Sequence, residues 1–150
     1  MKYLSFLLLL LTVVVLSVSA GCVTTPDNSD NKTITITDTT GREVVIPADP
    51  QRIAVSGSGS TRLVAYLGAL DRVIAVDSQD GKTTQTSDIR PYGLANPELR
   101  ELPTLGSTKG QIDPERLLAV SPDLILMSTS GADLAGEADQ LTEKTGIPVV

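Results

Sequence analysis

A short loop of glycine and serine, "SGSGS" at residues 56–60, is the first segment whose residue types could do chemistry. It is not a P-loop, which ends in lysine and a hydroxyl residue. It is not the dinucleotide fingerprint either, because Arg62 stands where the third glycine belongs. The glycine spacing of a nucleophile elbow is also absent. Two interpretations are left: Ser56, Ser58 and Ser60 contact a ligand beside a helix that offers backbone amides, or they form a tight strand-to-helix turn.

The chain contains no histidine. This excludes a Ser-His-Asp triad, a Cys-His pair and the commonest zinc ligand. A hydrolase built on one of the loop serines would need another base, such as Lys109, close to the hydroxyl. The net charge of -6, with dispersed Lys and Arg, gives no basic patch for nucleic acid. We therefore predict a binding protein rather than an enzyme, with no nucleic-acid partner and no intrinsic cofactor.

The N-terminal segment has the pattern of an export signal. Lys2 precedes a long apolar run, and residues 1–21 are predicted to be a signal peptide, the alternative being a retained membrane helix. Cys22, the one cysteine, stands where lipoproteins carry their lipidated residue, and we predict a lipid anchor rather than a free thiol. Residues 22–32 are polar and are predicted to be a flexible tether. Both readings of the leader place the folded part outside the cytoplasm, on the outer face of the cell membrane.

The remaining sequence predicts an α/β fold: a parallel sheet with helices on both faces, preceded by a β-hairpin. Period-two alternation on either side of "DTTG" predicts the hairpin. Short apolar runs then alternate with helical patterns, which is typical of a parallel sheet. The predicted strands are "RIAV", "RVIAV", "LPTLG", "DLILM" and "IPVV", and the predicted helices are "TRLVAYLGAL", "DPERLLAV" and "GADLAGEADQLTEKTG".

Individual residues predict the apolar face and the ends of these helices. In the first helix, helical spacing places Leu63, Val64, Leu67 and Leu70 on one face. The second helix has Asp113 as its N-cap and Pro114 at its first position. The third helix is closed by Gly146.

Polar loops follow four of the predicted strands: residues 56–60, the stretch that starts at Asp77, residues 106–111 and residues 128–133. Because parallel strands end at the same edge of a sheet, these loops are expected to line one cleft. The stretch from Asp77 to Glu101 is long for an unstructured connection, and such loops are often functional.

Arg90 and Tyr92 are the residues of this long stretch best suited to ligand binding. A guanidinium binds carboxylate or catecholate oxygens through paired hydrogen bonds, and a tyrosine stacks or donates its hydroxyl. The alternative is a surface loop that Tyr92 pins to the domain.

Three segments resemble a known family. They are "TDTTGREVVIPADPQRIAV" (37–55), "LVAYLGALDRVIAV" (63–76) and "IDPERLLAVSPDLILMS" (112–128). In this order they resemble the substrate-binding proteins of ABC importers for iron(III) siderophores, haem and cobalamin. The resemblance implies a bilobed protein whose two α/β lobes are joined by a long helix and grip a ligand between them. Such proteins are roughly twice as long, so residues 33–150 are identified as the N-terminal lobe, with the C-terminal lobe absent.

The resemblance also implies roles for two residues. In the cobalamin-binding member, a glutamate at the position of Glu115 pairs with arginines of the permease. The alternative is an exposed acid favoured by its place in the first turn of a helix. That member also holds an aromatic residue against its ligand where this chain has Lys109. This difference favours an anionic or oxygen-rich ligand, the alternative being a lysine that only faces solvent.

Together these features predict the extracytoplasmic substrate-binding component of an ABC importer. Its ligand is expected to be an iron(III) chelate, and its partners a membrane permease with its ATPase. The lack of histidine argues against the related binding proteins for free zinc or manganese. Two alternatives are left open: the same role with cobalamin or another corrinoid as ligand, and a single lobe that acts only as a docking module.

Overall fold

A computed structural model describes residues 32–57, 59–81, 90–106, 111–128 and 133–150. The predictions for residues 1–31, among them the signal peptide and Cys22, lie outside the described residues, as do Ser58 and Lys109. Among the described residues, no helix has the length and apolar character needed to cross a membrane.

The β-hairpin is confirmed. Strands β1 (Thr33–Thr37) and β2 (Glu43–Pro47) pair in antiparallel register around a turn whose Asp38 side chain accepts hydrogen bonds from the backbone of Thr40 and Arg42. Arg42 also contacts the rest of the domain, since its guanidinium donates to Asp139 at 2.7 Å and to the Val149 carbonyl at 2.9 Å. One arginine therefore ties the hairpin to the main sheet.

The main sheet is parallel, as predicted. Its strands are β3 (Ile53–Ser56), β4 (Val73–Ala75) and β5 (Leu124–Met127), in the order β4-β3-β5. The predicted "IPVV" strand contributes an isolated parallel bridge between Val149 and Ile125. The predicted "LPTLG" strand is also reduced to isolated bridges, one of which pairs Thr104 with Val76.

Helices cover both faces of this sheet. They are α1 (Ser60–Tyr66), α2 (Pro91–Ala95), α3 (Pro114–Val120) and α4 (Leu134–Thr145), with 3₁₀ turns at Leu70–Arg72 and Pro97–Glu101. Side chains alternate along β3, so that Ala54 packs on one face and Val55 on the other. The Ala54 face packs against Leu117 and Leu141 of α3 and α4. The opposite face packs against Val64, Tyr92 and Leu99.

The helix ends follow the sequence signals. Asp113 caps α3 by accepting hydrogen bonds from the backbone of Glu115 and Arg116, with Pro114 at the first helical position. Gly146 closes α4 in the left-handed conformation, with φ of 72°. The capping predictions for both helices are confirmed.

The apolar face predicted for the first helix is buried only in part. Helix α1 has seven residues and ends at Tyr66, before Gly68, whose φ is 70°. Leu63 and Leu67 are 57% and 80% exposed, while Val64 is buried. The buried residues of this short helix are Ser60, Thr61 and Val64, of which Val64 makes the apolar contact with the sheet.

The stretch after Asp77 is more ordered than an unstructured loop. Its described part includes α2 and the 3₁₀ turn Pro97–Glu101, each of which begins at a proline. Proline suits this position because it lacks the backbone donor that a helix start leaves unused. These elements place Tyr92 and Leu99 in the core.

Candidate functional site

The site lies at the edge where the parallel strands end. The Ser128 amide, just after β5, donates to the Ser56 carbonyl at 2.9 Å. A Cβ added to Gly57 would lie only 1.4 Å from the Ser128 carbonyl oxygen. The loops after β3 and β5 therefore meet, as predicted, and their contact requires glycine at position 57.

The two serines of the loop that the structure describes, Ser56 and Ser60, face inward. Ser56 and Ser60 are 1% and 5% exposed. The Ser60 hydroxyl lies 3.0 Å from the Ser56 carbonyl oxygen and 2.7 Å from the Ser128 hydroxyl. These contacts stabilise the turn between β3 and α1. They fit the second interpretation of this loop, a tight strand-to-helix turn. Their contact with a ligand stays a prediction.

Arg90 and Tyr92 form a cluster with Asp80, a residue that the sequence analysis missed. The Tyr92 hydroxyl donates to Asp80 Oδ1 at 2.7 Å, and Arg90 Nη1 lies 2.9 Å from the same oxygen. Arg90 Nη1 also donates to the Tyr92 hydroxyl at 2.9 Å. The Asp80 side chain is 3% exposed and that of Arg90 is 23% exposed. A buried carboxylate thus fixes the position of a partly exposed guanidinium.

A tight turn after β4 positions Asp80. The Asp77 carboxylate accepts hydrogen bonds from the backbone amides of Gln79 at 2.7 Å and Asp80 at 3.3 Å. Burial raises the pKa of Asp77, which is 1% exposed, and the nearby Asp80 raises it further, while the amide hydrogen bonds oppose both effects. The turn is also packed closely, because a Cβ on Gly81 would lie 2.2 Å from Thr104 Cγ2.

The sequence signal for Asp80 was its place in the polar stretch that begins at Asp77, just after a buried strand. Arg90 and Tyr92 need an acceptor when they pack against the sheet, since an unpaired buried hydroxyl or guanidinium is costly. Asp77 and Asp80 are the acids that begin the same stretch. Combining these two observations could have found the cluster.

The cluster borders a cleft between α1 and α2 with a volume of about 280 Å³. Among the described residues it is lined by Gly59, Arg62, Tyr66, Arg90, Pro91 and Tyr92. The loop after β3 and the two predicted cleft residues are therefore brought together, as the carboxyl-edge prediction requires.

A larger cleft of about 400 Å³ lies between α3 and α4. It includes none of the predicted ligand residues that the structure describes; its lining is Gln111, Ile112, Pro114, Met127, Glu137, Gln140, Leu141 and Lys144.

Glu115 lies in the first turn of α3 with its side chain exposed. Its backbone amide donates to Asp113 at 3.0 Å, and its exposed carboxylate takes no part in that cap. A partner protein can therefore reach it. Within the described ranges, no group of three His, Cys, Asp or Glu side chains could hold a metal ion.

Comparisons with known proteins give the following likenesses. No family model matches the sequence. The chain is 25% identical over 139 residues to YvrC of Bacillus subtilis (strain 168), an uncharacterized ABC transporter substrate-binding lipoprotein. The match covers 87% of this chain and 40% of that protein, so the chain spans well under half of its relative's length.

Two of the solved structures that match illustrate the shared fold. The periplasmic catecholate-siderophore binding protein VctP from Vibrio cholerae is 25% identical, with a TM-score of 0.56 over 79% of this chain and 37% of that chain. A periplasmic solute binding protein from Veillonella parvula DSM 2008 has a TM-score of 0.64 at 18% identity, over 79% of this chain and 35% of that one. The resemblance to substrate-binding proteins of ABC importers is confirmed, and the partial coverage fits one lobe of such a bilobed protein.

Proposed function

We propose that this chain is the extracytoplasmic substrate-binding component of an ABC importer and that it captures an iron(III) chelate for delivery to a membrane permease. The observation that carries the proposal is the guanidinium of Arg90, held by Asp80 and Tyr92 at a cleft on the carboxyl edge of the sheet. The likeness to a catecholate-siderophore binding protein supports the same ligand class. Binding and release are the whole activity, with no bond made or broken.

The cluster suits an oxygen-rich anionic ligand. Asp80 orients Arg90 in advance, so that little side-chain entropy is lost when a ligand oxygen accepts from the guanidinium. Carboxylate, phenolate and hydroxamate oxygens of an iron(III) chelate are acceptors of this kind, and hydrogen bonds from a charged donor to them are strong. The iron is part of the transported ligand and is coordinated by the chelator, not by the protein.

The domain assignment belongs to the same proposal. Residues 33–150 form one lobe, and a second lobe would supply the opposite wall of the ligand cleft. Residues 1–21 act as the signal peptide, Cys22 carries the lipid anchor, and residues 22–32 are the tether to the outer face of the membrane.

A docking module without a ligand is the second candidate function, and the exposure of Glu115 favours it. The two functions differ in one measurable property, because only the importer component binds a solute. A corrinoid is the alternative ligand within the first function.

Replacing Glu115 with alanine is expected to reduce transport in membranes that contain the permease and ATPase. Loss of one charge-assisted contact lowers affinity for the permease about tenfold. Affinity for the solute should not change, because Glu115 is not among the residues of the Arg90 cleft. Uptake of a radioactive ferric chelate and calorimetric solute binding measure the two quantities.

Glu143→Ala is the matched control, because Glu143 is also an exposed helical acid. Equal transport by Glu115→Ala and the wild type would remove the docking role.

A further inference from the structure

Helix α1 presents a cation and an aromatic ring to the same cleft. Arg62 and Tyr66 are four residues apart and so share one face of the helix. Both line the cleft that Arg90 borders, and the Tyr66 residue is 74% exposed. Among the described residues, neither side chain has a hydrogen bond or ion pair. Arg62 therefore differs from Arg90, whose guanidinium is already anchored.

The Arg62 guanidinium lies beside the backbone of Gly59, which also lines this cleft. A Cβ added to Gly59 would lie 3.4 Å from Arg62 Nη2, so the guanidinium extends over a residue that has no side chain. The described lining of the cleft has two arginines and no acid. Asp80, behind Arg90, balances one of these positive charges and leaves the other uncompensated.

We propose that Arg62 and Arg90 form a subsite for an anionic aromatic group, with Tyr66 as the surface on which its ring stacks. The inference rests on the proposed function in treating this group as part of the transported chelate. Two guanidiniums can bind the oxygens of a carboxylate or catecholate from two sides. An exposed tyrosine ring beside them favours a planar ligand over a small inorganic anion.

The subsite can be tested with three probes and the full chain purified in detergent. The probes are 2,3-dihydroxybenzoate, which has both the anion and the ring, inorganic phosphate, which has only the anion, and catechol, which is neutral near pH 7. Binding is followed by NMR titration. We expect 2,3-dihydroxybenzoate to bind more tightly than either of the other probes, and its binding to weaken with added salt.

Substitutions separate the two parts of the subsite. Arg62→Ala is expected to weaken 2,3-dihydroxybenzoate binding about tenfold, since one charge-assisted contact is lost. Arg62→Lys should bind 2,3-dihydroxybenzoate more tightly than Arg62→Ala but more weakly than the wild type, because lysine lacks the planar guanidinium. Tyr66→Leu should weaken the binding of 2,3-dihydroxybenzoate and leave the binding of phosphate unchanged. Arg116→Ala, which removes an exposed arginine from α3, is the charge-matched control.

The outcomes distinguish this subsite from the proposed function. If a ferric chelate and 2,3-dihydroxybenzoate bind Arg62→Ala as tightly as the wild type, the subsite is wrong while the importer role stands. If no chelate binds but 2,3-dihydroxybenzoate binds in an Arg62-dependent way, the subsite stands and the proposed cargo is wrong. Absence of Arg62-dependent binding in a sample shown to be folded overturns the subsite.

Discussion

Gly57→Ala is expected to destabilise the domain by about 2 to 5 kcal/mol and to displace the loop after β3. Gly57 has φ of 94°, where any other residue carries a conformational cost of about 1–2 kcal/mol. The added Cβ would also lie 1.4 Å from the Ser128 carbonyl oxygen and 2.4 Å from its carbon. Backbone atoms cannot rotate away as a side chain can, so the loops must separate, at a further cost of about 1–3 kcal/mol.

Gly68→Ala is the matched control for this prediction. Gly68 has φ of 70° and nothing within 4 Å of an added Cβ, so it carries the conformational cost without the overlap. Denaturant unfolding followed by circular dichroism gives the free energy of unfolding for both variants. If Gly57→Ala loses no more stability than Gly68→Ala, the contact with Ser128 does not constrain the site.

Asp80→Ala is expected to destabilise the domain by about 3 kcal/mol. The substitution removes the shared acceptor of the Tyr92 hydroxyl and Arg90 Nη1, and it leaves both donors at a largely buried position. Breaking a buried ion pair from one side costs about 3–5 kcal/mol, and the 23% exposure of Arg90 places this case at the lower end.

Asp80→Asn is the conservative control, because it keeps an oxygen acceptor and removes only the charge. It should lose less stability than Asp80→Ala in the same unfolding measurement. If the two variants are as stable as the wild type, Asp80 does not hold the cluster together.

The titration of Tyr92 provides a second readout of the same cluster. Burial raises the pKa of Tyr92 to about 12 from its ordinary value of 10.0, and the hydrogen bond to Asp80 adds to the rise. As the pH rises, Tyr92 therefore loses its proton at a lower pH in the unfolded chain than in the folded one. The stability that Tyr92 contributes is complete below pH 10.0 and is lost as the pH rises through about 12.

Asp80→Asn should lower the pKa of Tyr92, because the aspartate charge opposes the phenolate. Absorbance of tyrosinate measures this in a Tyr66→Phe background, which removes the titratable hydroxyl of the exposed Tyr66. An unchanged titration would show that burial alone sets the pKa.

Much of the fold could be predicted because its signals are local. Alternation in "TITIT" and "EVVIP" shows which face of each hairpin strand is apolar, and Asp113 and Gly146 mark helix ends through their own backbone contacts. Helix α2 was missed because its five residues are too few to show a helical period. The exposure of Leu63 and Leu67 could not be predicted, because helical spacing groups residues on one face without showing whether that face is covered.

The site was predicted less completely. Arg90 and Tyr92 were chosen for their residue types and their place after a strand, and the structure brings them to the cleft. Asp80 was missed because it lies ten residues before Arg90 in the sequence and meets it only through the fold. Ser56 and Ser60 were expected at the site, but no local signal shows that their hydroxyls turn inward.

The most direct test of the importer role is calorimetric titration of the full chain, purified in detergent and shown to be folded, with ferric siderophores, haemin and cobalamin. The account predicts micromolar or tighter binding of a ferric chelate, and weaker binding by Arg90→Ala than by the Arg116→Ala control. Absence of binding across the ferric chelates, or equal affinity of Arg90→Ala and the wild type, would contradict it.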